Sequence, residues 1–448
     1  MGALGRLATA GTQRFLPDPF TLALLLTFVS FLLGWGLTDT SPWGMAQHWY
    51  DGFWNLLAFS MQMALILVTG HALAITPPVQ RALTGVARVV TSTRSAVVLV
   101  SLVSMIAATV NWGLGIIVGA LLAREVAIAA TKRGIDLHYP IVAAAGYTGF
   151  LVWHGGLSGS APLTVAQPGH FLEASVGVIP VTGTLFSPMN GVMLLLLLLA
   201  VPSILVAMIP RGGWIAPPVF VDTEAPTVSG PRTPAEALDR NTLLARGIAL
   251  GGIAVLASRF FAGGFATLNL NTMNFLFLFL GLLLHGSTKR YGAALGEGVR
   301  GAGGIILQFP FYAGIMGMVS QSGLVTVLAD AFVSMSAAGG VVGLSEAKLL
   351  PFLSFLSAGI VNVFVPSGGG QWAVQGPVML EAAARIGVPA EKIVMAVAYG
   401  DEWTNMLQPF WALPLLGITR VRAQDMIGYT AALMILVLPV IAIVLFVF

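Results

Sequence analysis

Apolar residues run along this chain in blocks about twenty residues long. Each block is long enough for a helix to cross the roughly 30 Å hydrocarbon core of a bilayer. Full spans are expected at 20–37, 53–75, 139–163, 189–209, 243–261, 272–285, 298–319, 393–416 and 426–448. The block at 272–285 is short and is expected to begin earlier. Two further apolar stretches, 96–130 and 349–384, are interrupted in the middle by polar or small residues. Arg6 and Arg14 precede the first span in the manner of a signal peptide. Its long apolar run has no small-x-small cleavage site after it, so it reads as a retained helix.

Composition explains what the pattern is for. The chain has 448 residues, 57% hydrophobic and only 9% charged, where a soluble domain carries about 25% charge. That excludes an ordinary soluble enzyme, a nucleic-acid binder and a disordered chain, and leaves a polytopic membrane protein with the lipid bilayer as solvent. There is no cysteine, which excludes disulfides, thiolate metal sites and cysteine nucleophiles. Glycine (53) and proline (25) are abundant, as close helix packing and broken helices require.

Basic residues orient the spans, because cytoplasmic loops are enriched in Lys and Arg. They cluster at Arg6 and Arg14, at Arg81, Arg88 and Arg94, at Lys132 and Arg133, and at Arg211 to Arg246. Further clusters lie at Lys289 to Arg300 and at Arg420 and Arg422. Loops 38–52 and 166–188 carry none. If the two interrupted stretches re-enter on one side, only Arg259, Lys348, Arg385 and Lys392 fall outside. The expected topology is nine crossings, N-terminus in the cytoplasm and C-terminus outside.

Self-similarity divides the chain. Ile141-Val142-Ala143-Ala144, Tyr147 and Pro162-Leu163 match Ile393-Val394-Met395-Ala396, Tyr399 and Pro414-Leu415 at one constant spacing. Asn111 similarly matches Asn362, and Gln62 matches Gln308. The expected organisation is an N-terminal repeat at 1–210 with a cytoplasmic-side re-entrant hairpin at about 95–131. A linker and connecting helix occupy 211–267. A C-terminal inverted repeat fills 268–448, with an outside re-entrant hairpin at about 346–386. The fold class is therefore all-α, with two inverted-topology repeats. Inverted repeats with broken helices mark secondary transporters, which hold substrate and coupling ions near the midplane.

Four strings break helices at membrane depth. They are Asn111-Trp112-Gly113, His154-Gly155-Gly156-Leu157-Ser158-Gly159-Ser160, Pro366-Ser367-Gly368-Gly369-Gly370, and Trp403-Thr404-Asn405 with Gln408. Unwound backbone in hydrocarbon costs several kcal/mol per unsatisfied group, so it survives only against protein or a wet cavity. Glycine admits close approach of a ligand. Half-helix N-termini attract a carboxylate, and freed carbonyls suit Na⁺. A packing kink is the competing explanation for any single break. Asp401 and Glu402 are the sharpest candidates for holding a coupling ion or a proton, because intramembrane carboxylates are costly. A helix-end carboxylate paired elsewhere is the structural alternative. His154 reads as a proton carrier, a donor to substrate or a satisfied packing histidine. Trp112, Trp153, Trp372 and Trp403 are expected either to wall an apolar pocket or to sit at the interfaces. Gly156-Leu157-Ser158-Gly159 also spells a short string like that of an intramembrane serine protease. A repeat architecture has no role in such an enzyme, so no catalytic residue, metal or cofactor is expected beyond a coupling Na⁺ or H⁺.

The residues also carry a resemblance. It begins with Leu16-Pro17-Asp18-Pro19, Asp51-Gly52-Phe53-Trp54-Asn55-Leu56-Leu57-Ala58-Phe59 and Gln308-Phe309-Pro310-Phe311-Tyr312-Ala313-Gly314. Val365-Pro366-Ser367-Gly368-Gly369-Gly370 and Gln408-Pro409-Phe410-Trp411-Ala412-Leu413-Pro414 extend it. Over almost its whole length the chain resembles the short-chain fatty acid transporters of the AtoE type, in the ion transporter superfamily. The chain departs from that family's pattern at His154, which stands in place of a glycine, and at Asp401-Glu402, where Glu then Gln is commoner. The resemblance implies uptake of small monocarboxylates such as butyrate or acetoacetate across a bacterial inner membrane, by a homodimer with a scaffold and a moving transport domain. A dicarboxylate or cation/proton carrier of the same fold, and a passive channel, are the competing readings.

Overall fold

The computed structural model describes residues 19–210, 215–220, 233–337, 345–364 and 367–448. Among them every regular element is helical. The first helices are α1 (Pro19–Leu37), α2 (Pro42–Gly52), α3 (Leu57–Ala74) and α4 (Pro77–Ala87). Next come α5 (Thr93–Val110) and α6 (Trp112–Lys132), then α7 (Tyr139–Tyr147), α8 (Ser160–Val165), α9 (Glu173–Val176) and α10 (Pro188–Ala207). Beyond the linker lie α11 (Pro234–Asp239) and α12 (Thr242–Gly263), followed by α13 (Leu270–His285), α14 (Thr288–Gln321) and α15 (Leu324–Ala337). The last are α16 (Glu346–Phe364), α17 (Gly368–Ile386), α18 (Ala390–Thr404), α19 (Pro409–Thr419) and α20 (Ala423–Val447). Among the described residues, seven stretches are long and apolar enough to cross a membrane.

The expected spans mostly coincide with these helices, and three differences are instructive. The 38–52 segment is not all loop, because Ser41 caps α2 by accepting the Gly44 N–H at 3.1 Å, with Pro42 in the first turn. This Ser-Pro start is a strong helix signal. Second, α14 runs for 34 residues, well past the expected 298–319 span. Third, α15 follows a left-handed turn at Gly323 (φ +81°) and is a short apolar helix that a twenty-residue criterion passes over.

Many large apolar side chains are left exposed along the long apolar helices, as a bilayer-spanning protein requires. Leu25 and Phe28 on α1, Leu195 and Leu199 on α10, and Ile435 and Ile443 on α20 are examples. Helix α12 buries only Ala245, Ala249 and Gly252.

Both interrupted stretches fold as helical hairpins. Helix α5 starts where α6 ends: the Thr93 hydroxyl accepts the His138 N–H at 3.1 Å, and the Arg133 guanidinium donates to the carbonyls of Arg88 and Val90. The tip is the single extended residue Asn111 (φ −156°, ψ 129°). In the second hairpin α16 and α17 are tied by Gln371 Nε2 to the Ala358 carbonyl (2.9 Å) and Gln375 Nε2 to Ser357 Oγ (2.9 Å). A broken helix follows each hairpin. It is α7, a 3₁₀ turn at Thr148–Leu151 and α8 in the first case, and α18, a 3₁₀ turn at Asn405–Leu407 and α19 in the second.

Glycine sets how closely hairpin and broken helix approach. A side chain at Gly119 on α6 would run into the Gly146 carbonyl on α7, and one at Gly400 on α18 into the Phe355 carbonyl on α16. Ser104 Oγ donates to the Gly146 carbonyl at 2.7 Å across the same contact. Small residues give membrane helices this backbone-to-backbone packing. Gly119→Val is therefore expected to lower the melting temperature in detergent, with an overpacking cost of about 1–3 kcal/mol or more. Gly191→Val, with open space around it, is expected to leave the melting temperature unchanged.

Candidate functional site

The four breaks meet at one place. A small cavity of about 30 Å³ lies there, between Trp112 at the first hairpin tip, Trp153 and Ser160 of the second break, Ser367 to Gly369 of the second hairpin, and Asn405. Phe150, Trp411 and Met63 complete its wall. None of these lining side chains carries a charge.

Each break is held by the next. At the first hairpin tip Asn111 Oδ1 accepts the Leu114 N–H (2.9 Å) and Nδ2 donates to the Ile66 carbonyl (3.2 Å). Gly113 passes directly over Leu67, where a Cβ would sit 3.1 Å from its carbonyl. The Trp112 N–H donates to Ser158 Oγ (2.9 Å), and the Leu157 N–H to the Thr109 carbonyl (2.7 Å). Gly156 has its Cα against Thr109, and Gly159 against the His154 carbonyl, with no room for a side chain at either. Ser160 Oγ lies 3.4 Å from Met63 Sδ.

Asp401 and Glu402 face the broken segment of the other half. Glu402 Oε2 accepts the His154 N–H at 2.9 Å, and the Gly155 N–H points to the same carboxyl. Asn190 Nδ2 donates to the Gly155 carbonyl (2.8 Å), and the Tyr399 hydroxyl to Asn190 Oδ1 (3.0 Å). His154 Nδ1 lies 3.1 Å from Asp401 Oδ2, with both side chains almost wholly buried. The Ala161 N–H donates to His154 Nε2 at 3.1 Å. A nitrogen that accepts a hydrogen bond carries no proton, so the ring proton sits on Nδ1 and is donated to Asp401. His154 is thus neutral in this arrangement and acts as a strut between the Asp401 carboxyl and the start of α8.

The last break is built around Asn362. Its Nδ2 has three oxygens within reach: the Asp401 carbonyl at 2.6 Å, Asn405 Oδ1 at 2.8 Å and Thr404 Oγ1 at 3.0 Å. An amide has only two hydrogens to share among them. Gln408 Nε2 donates to the Asn362 carbonyl (2.5 Å), and the Tyr147 hydroxyl reaches the carbonyls of Asn405 (3.0 Å) and Gln408 (3.2 Å). Asn362 Oδ1, Gln408 Oε1 and Asp401 Oδ1 are buried with no hydrogen-bond partner among the described residues.

Helix α17 points its N-terminus at the cavity. Ser367 Oγ accepts the Gly370 N–H at 3.3 Å. The helix geometry leaves the N–H groups of Gly368 and Gly369 without an intrahelical partner. Bare backbone is needed here, since a Cβ on Gly368 would lie 2.7 Å from the Trp153 ring, one on Gly369 2.9 Å from Phe59, and one on Gly370 2.5 Å from Tyr312. The Trp153 indole N–H is buried without a hydrogen-bond partner among the described residues. Pro366 lies outside the described residues.

Of the four tryptophans singled out in the sequence, Trp112 and Trp153 line the cavity. The Trp403 indole instead donates to the Met434 carbonyl (2.7 Å) and packs on Gly359, away from the cavity. Trp372 is wholly buried in α17 and is not among the lining residues. Phe150, Trp411, Met63, Asn190, Tyr147 and Tyr399 carry no sequence signal of their own. For Tyr147 and Tyr399, their matched positions in the two halves were the available clue.

The family model for the short chain fatty acid transporter matches residues 1–448. The chain belongs to the short-chain fatty acid transporter family. It is 40% identical over 453 residues, the full length of both chains, to an Escherichia coli (strain K12) protein named "Putative short-chain fatty acid transporter". A Haemophilus influenzae protein of the same name is 39% identical over 452 residues, covering 98% of this chain and 97% of its own. Two solved structures share the fold: the Alcanivorax borkumensis YdaH transporter (TM-score 0.56, 18% identity, 96% of each chain) and Neisseria gonorrhoeae MtrF, described as illuminating a class of antimetabolite efflux pumps (TM-score 0.57, 16% identity, 96% of this chain and 95% of that one). This member of the short-chain fatty acid transporter family is a multi-pass membrane transporter, not an enzyme, and its all-helical class agrees with the sequence pattern.

The hydrogen-bond pattern at His154 is directly testable. In ¹⁵N NMR of histidine-labelled protein, one ring is expected as the Nδ1–H tautomer with unprotonated Nε2, and its signals disappear in His154→Gln. Asp401→Asn is expected to displace that tautomer when the amide presents a donor to Nδ1. An Nε2–H form or an imidazolium at this position in the wild-type chain contradicts the assignment.

Proposed function

We propose that the protein is a secondary active importer of short-chain fatty acids, small monocarboxylates such as butyrate or acetoacetate, in a bacterial inner membrane. The observation that carries this reading is the convergence of all four breaks on one cavity that faces a helix N-terminus and has no charged lining residue. Two orphan backbone N–H groups with a helix dipole behind them attract a single carboxylate. The Trp153 N–H is a further donor within the same wall. The tryptophan and phenylalanine walls suit a short apolar tail. A dicarboxylate carrier on this fold would need a second anion site, which the uncharged lining does not offer.

The reading extends to coupling and motion. The substrate enters with a coupling Na⁺ or H⁺. The unpartnered oxygens of Asn362, Gln408 and Asp401 favour a cation beside Asn362, since Na⁺ is held by carbonyl and carboxylate oxygens at broken helices. Asp401 and Glu402 are the groups that would carry a proton instead. The hairpins re-enter from opposite sides as parts of inverted repeats. The transport domain moves in elevator fashion against a homodimeric scaffold, with the N-terminus inside and the C-terminus outside. One net charge crossing 100 mV supplies about 2.3 kcal/mol. Two cations per carboxylate would draw on that voltage, and a one-to-one proton symport would not.

In proteoliposomes, radiolabelled butyrate is expected to accumulate when a Na⁺ gradient is imposed alone. Asn362→Ala is expected to raise the Na⁺ concentration needed for half-maximal uptake. Accumulation driven by a pH gradient alone assigns coupling to the Asp401–Glu402 pair. No uptake of any two- to six-carbon acid under any gradient refutes the reading, and equilibration that ignores every gradient identifies a channel.

A further inference from the structure

A second cavity of about 240 Å³ lies beside the central one. Its rim residues Asn55, Ala58 and Gly169 are exposed, so it opens to the surface. The two cavities share the same two helices. On α3, Phe59 lines the outer cavity and Met63, one turn further on, lines the central one. On α8, Thr164 lines the outer and Ser160 the central. A helical turn is about 5.4 Å, so the cavities are successive chambers of one groove between α3 and α8. The Phe59 ring stands at the boundary. It meets Phe171 at 5.7 Å on the outer side and Phe309 at 5.6 Å behind it. It also lies against Gly369, whose backbone lines the central cavity.

On the fatty-acid reading, size requires that some part of this wall moves. A water needs roughly 10–15 Å³ of such space, so the central cavity at about 30 Å³ holds two or so waters and no four-carbon acid. Most of its wall is locked. The rings of Trp112, Phe150, Trp153 and Trp411 contact one another in a closed set, with centroids 5.3–6.3 Å apart. The Gly368 and Gly369 side has no side chains to withdraw. Met63, unbranched and with three rotatable bonds, is the compliant piece, and behind it stands Phe59.

We propose that Phe59, acting with Met63, is the movable wall between an outer vestibule and the central site, and that it sets the length of acyl chain the site accepts. The inference rests on the fatty-acid reading above. The carboxylate lies at the Gly368 N–H beside Trp153 and the alkyl tail points past Gly369 toward Met63 and Phe59, so each added methylene presses on that wall. The vestibule lining includes the neutral amides of Asn55, Gln62 and Gln167. Gln62 Nε2 bridges Gln167 Oε1 (3.1 Å) and Asn271 Oδ1 (2.7 Å) at its edge.

Phe59→Ala joins the two chambers. It is expected to raise the hexanoate-to-butyrate uptake ratio in proteoliposomes about tenfold or more, the scale on which a pocket senses a methylene. Phe59→Leu is expected to shift the ratio in the same direction by less, and serves if the alanine variant folds poorly. The absence of native cysteine permits a second readout that needs no transport. Ser160→Cys in purified protein is expected to react slowly with a bulky maleimide, and several-fold faster when Phe59→Leu or Phe59→Ala is added. Unchanged chain-length preference in a transporting variant overturns the acyl-length role, and unchanged labelling overturns the partition. If the wild-type chain moves no fatty acid, the transport reading and the acyl-length role fall together, while labelling still decides whether Phe59 divides the groove.

Discussion

Backbone that leaves the helix inside a membrane must find its hydrogen bonds within the protein, and the rest of this structure is organised around meeting that demand. The two broken helices satisfy each other. Glu402, on the second, accepts the His154 N–H of the first. Tyr147, on the first, donates to the Asn405 and Gln408 carbonyls freed in the second. The hairpin tips are tied in the same way, Trp112 to Ser158 and Asn362 to Gln408. Each break therefore draws part of its hydrogen bonding from the other half. The close glycine contacts follow from this, because the donors and acceptors meet only if helices approach at backbone distance.

Helices and breaks were legible in the sequence because each has a local cause. Twenty apolar residues make a span, and Asn111 or Ser367-Gly368-Gly369 interrupts one. The matched strings also set Asn111 and Asn362 apart, and in the fold Asn111 is the tip of the first hairpin while Asn362 lies in the last turn of α16. What the sequence did not disclose was partnership. Asp401 and Glu402 look like free intramembrane charges when read along the chain. In the fold they serve the backbone and ring of His154 from across the molecule. Trp403 looks like its neighbours' equal in a candidate pocket, but its rotation on α18 sends the indole to Met434. Helical phase at a break depends on where the unwinding starts. The non-α segment from Thr148 to Gly159 begins earlier than the glycine run that signals it, because Gly149 packs against Ser104 and Ala108.

Scarcity of charge has a functional side. An arginine at the cavity would hold a carboxylate strongly and also hold it back from release. A helix end gives about half a charge with no side-chain desolvation cost, and Ser367 already occupies the Gly370 N–H. If the cavity takes a carboxylate as proposed, recognition would depend on shape, which the aromatic wall supplies. It also explains why a protein so poor in charge keeps two adjacent acids in its core: their partners are backbone amides and a neutral imidazole, not bases.

Asp401 is the residue through which these parts communicate. Its backbone carbonyl accepts from Asn362 of the second hairpin, and its carboxyl accepts from His154 of the first broken helix. His154 in turn accepts from Ala161 at the start of α8, next to Ser160 in the cavity wall. Any group bound at the oxygens around Asn362 pulls on the same residue that positions the cavity wall. Two sites that bias one element alter each other's affinity by the same factor. On the proposed reading, an ion beside Asn362 and a carboxylate in the cavity would be linked both through Asn405, which touches Asn362 and lines the cavity, and through the path Asn362–Asp401–His154–Ala161.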